Sequence, residues 1–221
     1  MNADPETPDA APDDDALMRA FALGDAVAFE QLYRRHRTAL YRFLHRLLGS
    51  AGRAQVDEVF QDTWLRVVQS RERWAPQGAA FRTWLFTVAH HRAMDVWRRH
   101  GREVSRDTLS EDGEDPWQPD GAAWSGWPVA GDAPDDQAFW RAAGQRLLSC
   151  LDELPPAQRA VFLLHHEEGL ALETLASQLG AGFETVKSRL RYAMAKLRVC
   201  MGAYLPASEA VPAAATPRRT R

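Results

Sequence analysis

The sequence predicts an all-α protein of two small helical domains joined by a flexible acidic linker, with a helix-turn-helix in the second domain. Its 221 residues leave room for one large or two small domains. Apolar residues recur at helical spacing in two blocks, and the first block shows no strand-like alternation. Between the blocks lies a stretch rich in Gly, Pro and acidic residues, in which the helical spacing disappears.

The first block, residues 17–102, is predicted to follow a disordered acidic tail, residues 1–16. A long apolar stripe that ends at Gly49 and Gly52 predicts the first helical segment of this block. The stripe comprises Phe29, Leu32, Tyr33, Leu40, Phe43, Leu44, Leu47 and Leu48. A second helix is expected over about residues 55–69 and a third over about residues 80–100.

The linker, residues 103–138, contains three tryptophans that a simple spacer does not need: Trp117, Trp124 and Trp127. Either they dock on a partner surface or they pack locally.

The charge of the chain is distributed unevenly around this linker. Formal net charge is −3, yet residues 17–102 hold 15 Lys or Arg against 7 Asp or Glu, whereas residues 103–139 hold 10 acidic residues and one arginine. The local positive charge of the first block is what a nucleic-acid binder requires.

The second block, residues 139–205, ends in a predicted helix-turn-helix, and residues 206–221 form a Pro/Ala-rich tail predicted to be disordered. One short helix has Leu172, Leu175, Ala176 and Leu179 on one face, and Gly180 to Gly182 form the turn. The next helix has Val186, Leu190, Ala193 and Leu197 on one face, and these residues would pack against the preceding short helix. Its opposite face is basic, which favours DNA binding over an ordinary solvated helical hairpin.

Several classes of site are not predicted. Cys150 and Cys200 have neither metal-ligand spacing nor a disulfide framework, and we expect buried or half-buried thiols in a reducing compartment. The run from His165 to Glu168 does not match a His-Glu-x-x-His metal site. We predict no metal, no cofactor and no membrane insertion, hence a soluble cytoplasmic protein.

Several segments of the sequence resemble segments of bacterial extracytoplasmic-function (ECF) sigma factors. Residues 81–99, FRTWLFTVAHHRAMDVWRR, resemble the promoter-melting and minus-10 segment of that family. Preceding helices of the same domain are similar to residues 24–36, GDAVAFEQLYRRH, and 57–66, DEVFQDTWLR. The minus-35-binding domain is similar to residues 151–198, which include LDELPPAQRAVFLLHHEEGL and ETVKSRLRYAMAKLR. The resemblance covers nearly everything except the tails and the linker.

The resemblance implies a protein that binds core RNA polymerase, brings it to promoters and opens the DNA. By family position the minus-35 contacts are Thr185, Lys187, Ser188, Arg189, Arg191 and Tyr192. The implied minus-10 contacts are Trp74, His91, Arg98, Arg99 and Arg102. Asn commonly stands in the family where His91 stands here; both can bond a base edge, and His adds a titration. For Trp74, base stacking and core packing remain alternatives.

The resemblance further implies docking on polymerase through the β′ clamp helices and the β flap. The implied clamp-binding residues are Asp57, Glu58, Gln61, Asp62 and Leu65. An anti-sigma factor is a further partner that the family often has. The alternative is a stand-alone helix-turn-helix regulator, which has no need of the 81–99 face. A hydrolase site around His90, His91 and Asp95 lacks a converging nucleophile or ligand set, so we expect no enzyme.

Overall fold

The computed structural model describes residues 12–74, 80–99 and 134–204, and every regular element among them is helical. The helices are α1 Asp14–Ala22, α2 Ala26–Leu48, α3 Val56–Ser70, α4 Phe81–Arg99, α5 Pro134–Asp152, α6 Pro156–His166, α7 Leu172–Leu179 and α8 Phe183–Met201. Two short 3-10 helices cover Ser50–Gln55 and Gly202–Tyr204. The all-α prediction is confirmed. The linker tryptophans, Arg102 and the loop residues 75–79 lie outside the described residues.

Helix α1 begins earlier than the predicted end of the acidic tail, because three consecutive aspartates have structural partners. The carboxylate of Asp13 caps the helix by accepting from the Ala16 amide at 2.6 Å, a contribution of about 1 kcal/mol. Asp14 Oδ2 lies 2.6 Å from Nε2 of the buried His36 on α2. Asp15 Oδ1 accepts from the Phe81 amide at 2.8 Å, which satisfies an otherwise orphan donor at the start of α4.

Helix α2 is the central element of the first domain. Asp25 caps its start by accepting from two backbone amides, and Gly49 ends it with a φ of +64°, a conformation that favours glycine. Its apolar stripe is buried as predicted, with Leu32, Leu40, Phe43, Leu44, Leu47 and Leu48 inaccessible to solvent. Helices α1, α3 and α4 all pack on α2.

The second domain contains α5 to α8 and has the predicted helix-turn-helix. Pro155 and Pro156 stand at the start of α6, where a missing amide proton has no cost. Gly180 ends α7 in the left-handed conformation, with φ 60° and ψ 32°. Val186, Ala193 and Leu197 of α8 are fully buried and Leu190 is half-buried, so the predicted inward face of this helix is confirmed.

The prediction of free thiols was wrong, because Cys150 and Cys200 form a disulfide. The two residues are 50 positions apart in sequence, and their Cα atoms are 5.9 Å apart. Packing of α5 against α8 brings them together, and no sequence spacing reveals that neighbourhood. The bond closes a loop that contains the whole of α6, α7 and most of α8.

The two domains are in contact. Helix α2 packs against α5 and α6, and the buried apolar side chains of both domains form one cluster. In the described part of the chain, no helix combines the length and the apolar character needed to cross a membrane.

Candidate nucleic-acid interface

All six predicted minus-35 contacts lie in the first ten positions of α8, directly after the turn. Lys187 is exposed, and its Nζ is 3.7 Å from the carboxylate of Glu184. Ser188 donates from its hydroxyl to the Glu184 carbonyl at 2.8 Å, so it is held close to the helix backbone. The remaining four predicted contacts are half-buried: Thr185, Arg189, Arg191 and Tyr192.

The guanidinium of Arg191 lies 5.1 Å from the centroid of the Tyr192 ring, within the range of a cation–π contact. That contact orients a planar, permanently charged donor group on the predicted DNA face. A guanidinium can bond two acceptors of a guanine edge at once or a phosphate, whereas a lysine supplies a mobile point charge. The helix start therefore presents both kinds of cation, with a tyrosine beside them.

Helix α4 presents an exposed basic face at its C-terminal end. His91, Arg98 and Arg99 are exposed, while Asp95 is half-buried. Asp95 pairs with Arg98 and lies 3.9 Å from Arg92. Asp95 therefore orients two arginines on the same face, as its spacing from Arg98 predicts.

An open groove follows this face between α3 and α4. Its lining residues are Asp62, Arg92, Asp95, Arg98 and Arg99. The predicted minus-10 residues Arg98 and Arg99 and the predicted polymerase-binding residue Asp62 thus meet at one groove. Arg92 also lines the groove and was not among the predicted minus-10 residues. The signal was present, since Arg92 precedes Asp95 by three positions and Arg99 by seven and so shares their helical face.

Trp74 is half-buried and lies edge-on to Phe81, with 6.3 Å between ring centroids. Phe81 is itself fully buried at the start of α4. Trp74 therefore marks the boundary between the core and the loop that precedes α4. Its indole is fixed on one side by the core.

The predicted polymerase face lies on the outside of α3. Asp57, Glu58 and Gln61 are exposed, Asp62 is half-buried, and Leu65 is 54% exposed. Asp57 accepts from the Tyr41 hydroxyl at 3.0 Å, which links this face to α2 and raises the pKa of Tyr41. The face is thus acidic around one exposed leucine, on a domain that is otherwise basic.

The run from His165 to Glu168 is occupied by contacts within the protein. His165 Nδ1 lies 2.8 Å from the Leu170 carbonyl oxygen, and Glu167 and Glu168 pair with Arg46 and Arg82 of the first domain. Among residues 12–74, 80–99 and 134–204, no cluster of three His, Cys, Asp or Glu side chains is placed to hold a metal ion.

His90 is buried on α4, one residue from the exposed His91. Burial, followed by the positive charges of His91 and Arg189, lowers the pKa of His90 to about 3. Burial, with a smaller contribution from His165, lowers the pKa of His166 to about 4. Burial also lowers the pKa of His36, although the Asp14 carboxylate opposes that shift. The folded protein therefore holds these three rings neutral at pH values at which the unfolded chain protonates them.

Stability should accordingly fall as the pH drops from about 6.5 towards 4, because the unfolded state then binds more protons than the folded state. A buried histidine such as His90 contributes up to about 1.4 kcal/mol per pH unit to the slope. Solvent screening reduces the contribution of His166, whose side chain is exposed. We expect His90→Gln to reduce the slope of unfolding free energy against pH by roughly that amount between pH 4 and 6, measured by urea denaturation. An unchanged slope in His90→Gln would contradict the buried neutral state.

Two sequence families match the two halves of the chain. Residues 32–103 match sigma-70 region 2, and residues 144–197 match sigma-70 region 4. The first match contains α3, α4 and most of α2, and the second contains the helix-turn-helix. A stand-alone helix-turn-helix regulator would lack the first match, so that alternative is not favoured.

Full-length relatives agree with both matches. The chain is 32% identical over 188 residues to the ECF RNA polymerase sigma factor SigK of Mycolicibacterium vanbaalenii, covering 85% of this chain and 89% of the relative. It is 30% identical over 180 residues to the ECF sigma factor SigE of Mycolicibacterium smegmatis, covering 80% of this chain and 64% of that one.

Solved structures show the same fold. One is CnrH in complex with the cytosolic domain of CnrY, with a TM-score of 0.56, 24% identity, and coverage of 86% of this chain and 99% of that one. Another is the sigma factor RpoE of Bartonella quintana with the anti-sigma factor NepR, with a TM-score of 0.51, 24% identity, and coverage of 79% and 96%. The two region matches and the identity to full-length relatives show that this chain belongs to the ECF RNA polymerase sigma factors, which direct core RNA polymerase to promoters.

Proposed function

We propose that this sigma factor holds promoter DNA with two separate basic surfaces and opens it at one of them. The observation that supports the proposal is the pair of basic surfaces itself: the start of α8 and the arginine groove between α3 and α4. The domains that carry them are residues 17–102 and 139–205. The first acts at the minus-10 element and the second at the minus-35 element.

The start of α8 reads the minus-35 element from the major groove. Lys187 and Arg191 are four positions apart and thus share a face, which supports a pair of groove contacts. Thr185, Ser188, Arg189 and Tyr192 complete the contact set. A helix-turn-helix places the first residues of its second helix against base edges. The position of these side chains in the first turns of α8 supports that role.

The α4 groove binds the opened strand at the minus-10 element. Arg98, Arg99 and the newly identified Arg92 provide cations for successive phosphates. Arg102 is a further proposed contact on the ground of family position alone. His91 stands exposed beside them and can bond a base edge. Trp74 packs against Phe81 at the edge of the first domain. Its indole offers an aromatic surface on which an unstacked base can stack.

The outer face of α3 docks on the β′ clamp helices of polymerase, and the second domain docks on the β flap. Exposed Leu65 among the acids Asp57, Glu58 and Asp62 has the form of an apolar anchor with a polar rim. Leu65→Asp should therefore weaken binding to core polymerase at least tenfold in a fluorescence binding assay. The control is Val27→Asp, which introduces the same charge at an exposed apolar position in the first turn of α2, in the same domain. Equal effects of the two substitutions would argue against this face.

We further propose that the protein works in the cytoplasm, associates with the nucleoid when bound to polymerase, and has no catalytic activity of its own. The structural relatives CnrH and RpoE are in complexes with CnrY and with an anti-sigma factor. An anti-sigma partner is accordingly a proposed partner of this chain as well.

The test of the whole proposal is run-off transcription with purified core polymerase and a library of promoter fragments. We expect transcripts from a subset of the fragments, sharing an upstream and a downstream element, only when the protein is added. Absence of any protein-dependent transcript, in a reaction in which binding to core polymerase is demonstrated, would contradict promoter recognition.

A further inference from the structure

The start of helix α8 carries one acidic residue on its predicted DNA face. Glu184 is the only Asp or Glu among the first ten residues of the helix. Three cations share those ten positions: Lys187, Arg189 and Arg191. The side chain of Glu184 is 77% exposed and that of Lys187 is 51% exposed. Glu184 thus extends into solvent at the tip of the helix, although the family resemblance assigns it no contact.

The spacing of Glu184 places it on the same side of α8 as the two predicted groove contacts. Glu184, Lys187 and Arg191 follow one another at intervals of three and four positions, which is the spacing of one helical face. Oε2 of Glu184 lies 3.7 Å from Nζ of Lys187. The Ser188 hydroxyl bonds to the backbone carbonyl of Glu184 at 2.8 Å and does not occupy its carboxylate. The helix therefore presents an acceptor and a cation side by side to the groove that it enters.

Helix stability alone does not require a carboxylate on a surface that faces DNA. An acid in the first turn interacts favourably with the helix macrodipole, and an exposed Glu–Lys pair adds little, since water and salt screen it. On a DNA-binding surface, however, a carboxylate repels the phosphates that the neighbouring cations attract. The Glu184 carboxylate consequently weakens DNA binding unless a hydrogen-bond donor of the DNA meets it.

Donors on the major-groove edges of base pairs are few. Only the N4 amino group of cytosine and the N6 amino group of adenine donate there, whereas guanine and thymine present acceptors. Adenine has its N7 acceptor beside its amino group, and that acceptor repels a carboxylate. Cytosine has no acceptor on this edge and is therefore the base that a glutamate fits best. The guanine paired with that cytosine offers O6 and N7 to a lysine.

We propose that Glu184 is a specificity-determining residue that selects cytosine at one position of the upstream promoter element, while Lys187 bonds the guanine of the same base pair. In the free protein the two groups pair with each other, and in the groove each exchanges that partner for one base. The inference rests on the minus-35 role proposed above for α8. It adds to that role a base preference and the residue that sets it.

Competition binding by the holoenzyme, reconstituted from core polymerase and the full chain, tests the selection. The duplexes carry the upstream element selected in the run-off library, with each position replaced in turn by the other three base pairs. The wild type should discriminate against substitutions at the cytosine position by roughly five- to a hundredfold. Glu184→Ala should abolish that discrimination, and Lys187→Ala should reduce it at the same position. Glu184→Gln should transfer the preference to adenine, because a glutamine amide bonds both N6 and N7 of adenine.

The matched control is Glu173→Gln, which removes the same charge from the second residue of α7, as Glu184→Gln does from the second residue of α8. The control should keep every base preference of the wild type. A change in affinity that is equal for all duplexes in the Glu184 variants overturns the assignment of Glu184 and leaves the role of α8 standing. Loss of discrimination at different positions in the Glu184 and Lys187 variants overturns the shared base pair. A wild-type holoenzyme that prefers no base pair in the upstream element overturns the role of α8 and the inference with it.

Discussion

Replacing both Lys187 and Arg191 with alanine is expected to reduce affinity for the upstream promoter element by roughly 30-fold or more, since each of two good base contacts contributes about 1–3 kcal/mol. Both side chains stand in the first three turns of α8, and neither contributes to the buried face of that helix. If the contacts are to phosphates, the slope of log affinity against log salt should also decrease by about 0.9 per residue. Footprinting and a salt titration measure the two effects.

The matched control is Lys196→Ala with Arg198→Ala, which removes the same charge from the exposed C-terminal half of the same helix. That variant should keep the upstream footprint, because only the start of a recognition helix reaches the base edges. Protection at the downstream element should persist in both variants when polymerase is present. A full upstream footprint in the Lys187 and Arg191 variant would show that another surface reads the element.

Removing the disulfide is expected to destabilise the second domain by about 4 kcal/mol. A cross-link between residues 50 positions apart restricts the unfolded chain, and for a loop of that length the entropic effect is about 4 kcal/mol. Cys150 is almost fully buried beside α8, so its partner holds the end of that helix against α5. Urea denaturation of the Cys150→Ser, Cys200→Ser variant, compared with the oxidised wild type, measures the loss.

Reductant provides the internal control for this prediction. Dithiothreitol should lower the unfolding midpoint of the wild type towards that of the serine variant and should leave the variant itself unchanged. Equal midpoints for the oxidised wild type and the serine variant would contradict the expected contribution of the cross-link.

The helices that carry function could be predicted closely from the sequence, because local signals determine their ends. α3 and α4 were expected at about residues 55–69 and 80–100 and are observed at Val56–Ser70 and Phe81–Arg99. Gly180, expected as a left-handed helix cap, has that conformation. An apolar stripe with a glycine at its end depends only on neighbours within a few turns, and such neighbours are visible in the sequence.

Contacts between distant segments could not be predicted in the same way. The Cys150–Cys200 bond and the pairing of Glu167 and Glu168 with arginines of the first domain depend on how helices pack. In the sequence, the run from His165 to Glu168 has the composition of a metal-binding motif, and nothing local to it indicates that its glutamates pair with distant arginines. The contact roles of the individual DNA- and polymerase-facing side chains likewise rest on family position and exposure, and they remain predictions.

The aspartates of α1 have a consequence for deletion experiments on this protein. A chain shortened to begin at Leu17, where the apolar pattern starts, would lose Asp13, Asp14 and Asp15 together. The Phe81 amide would then lose its acceptor and His36 its carboxylate, although both are far along the chain. Trimming an apparently dispensable acidic leader would thus fray the first turn of α4. A transcription defect in such a deletion would report damage to α4, the helix proposed to open the strand, and should not be attributed to contacts made by the acidic segment itself.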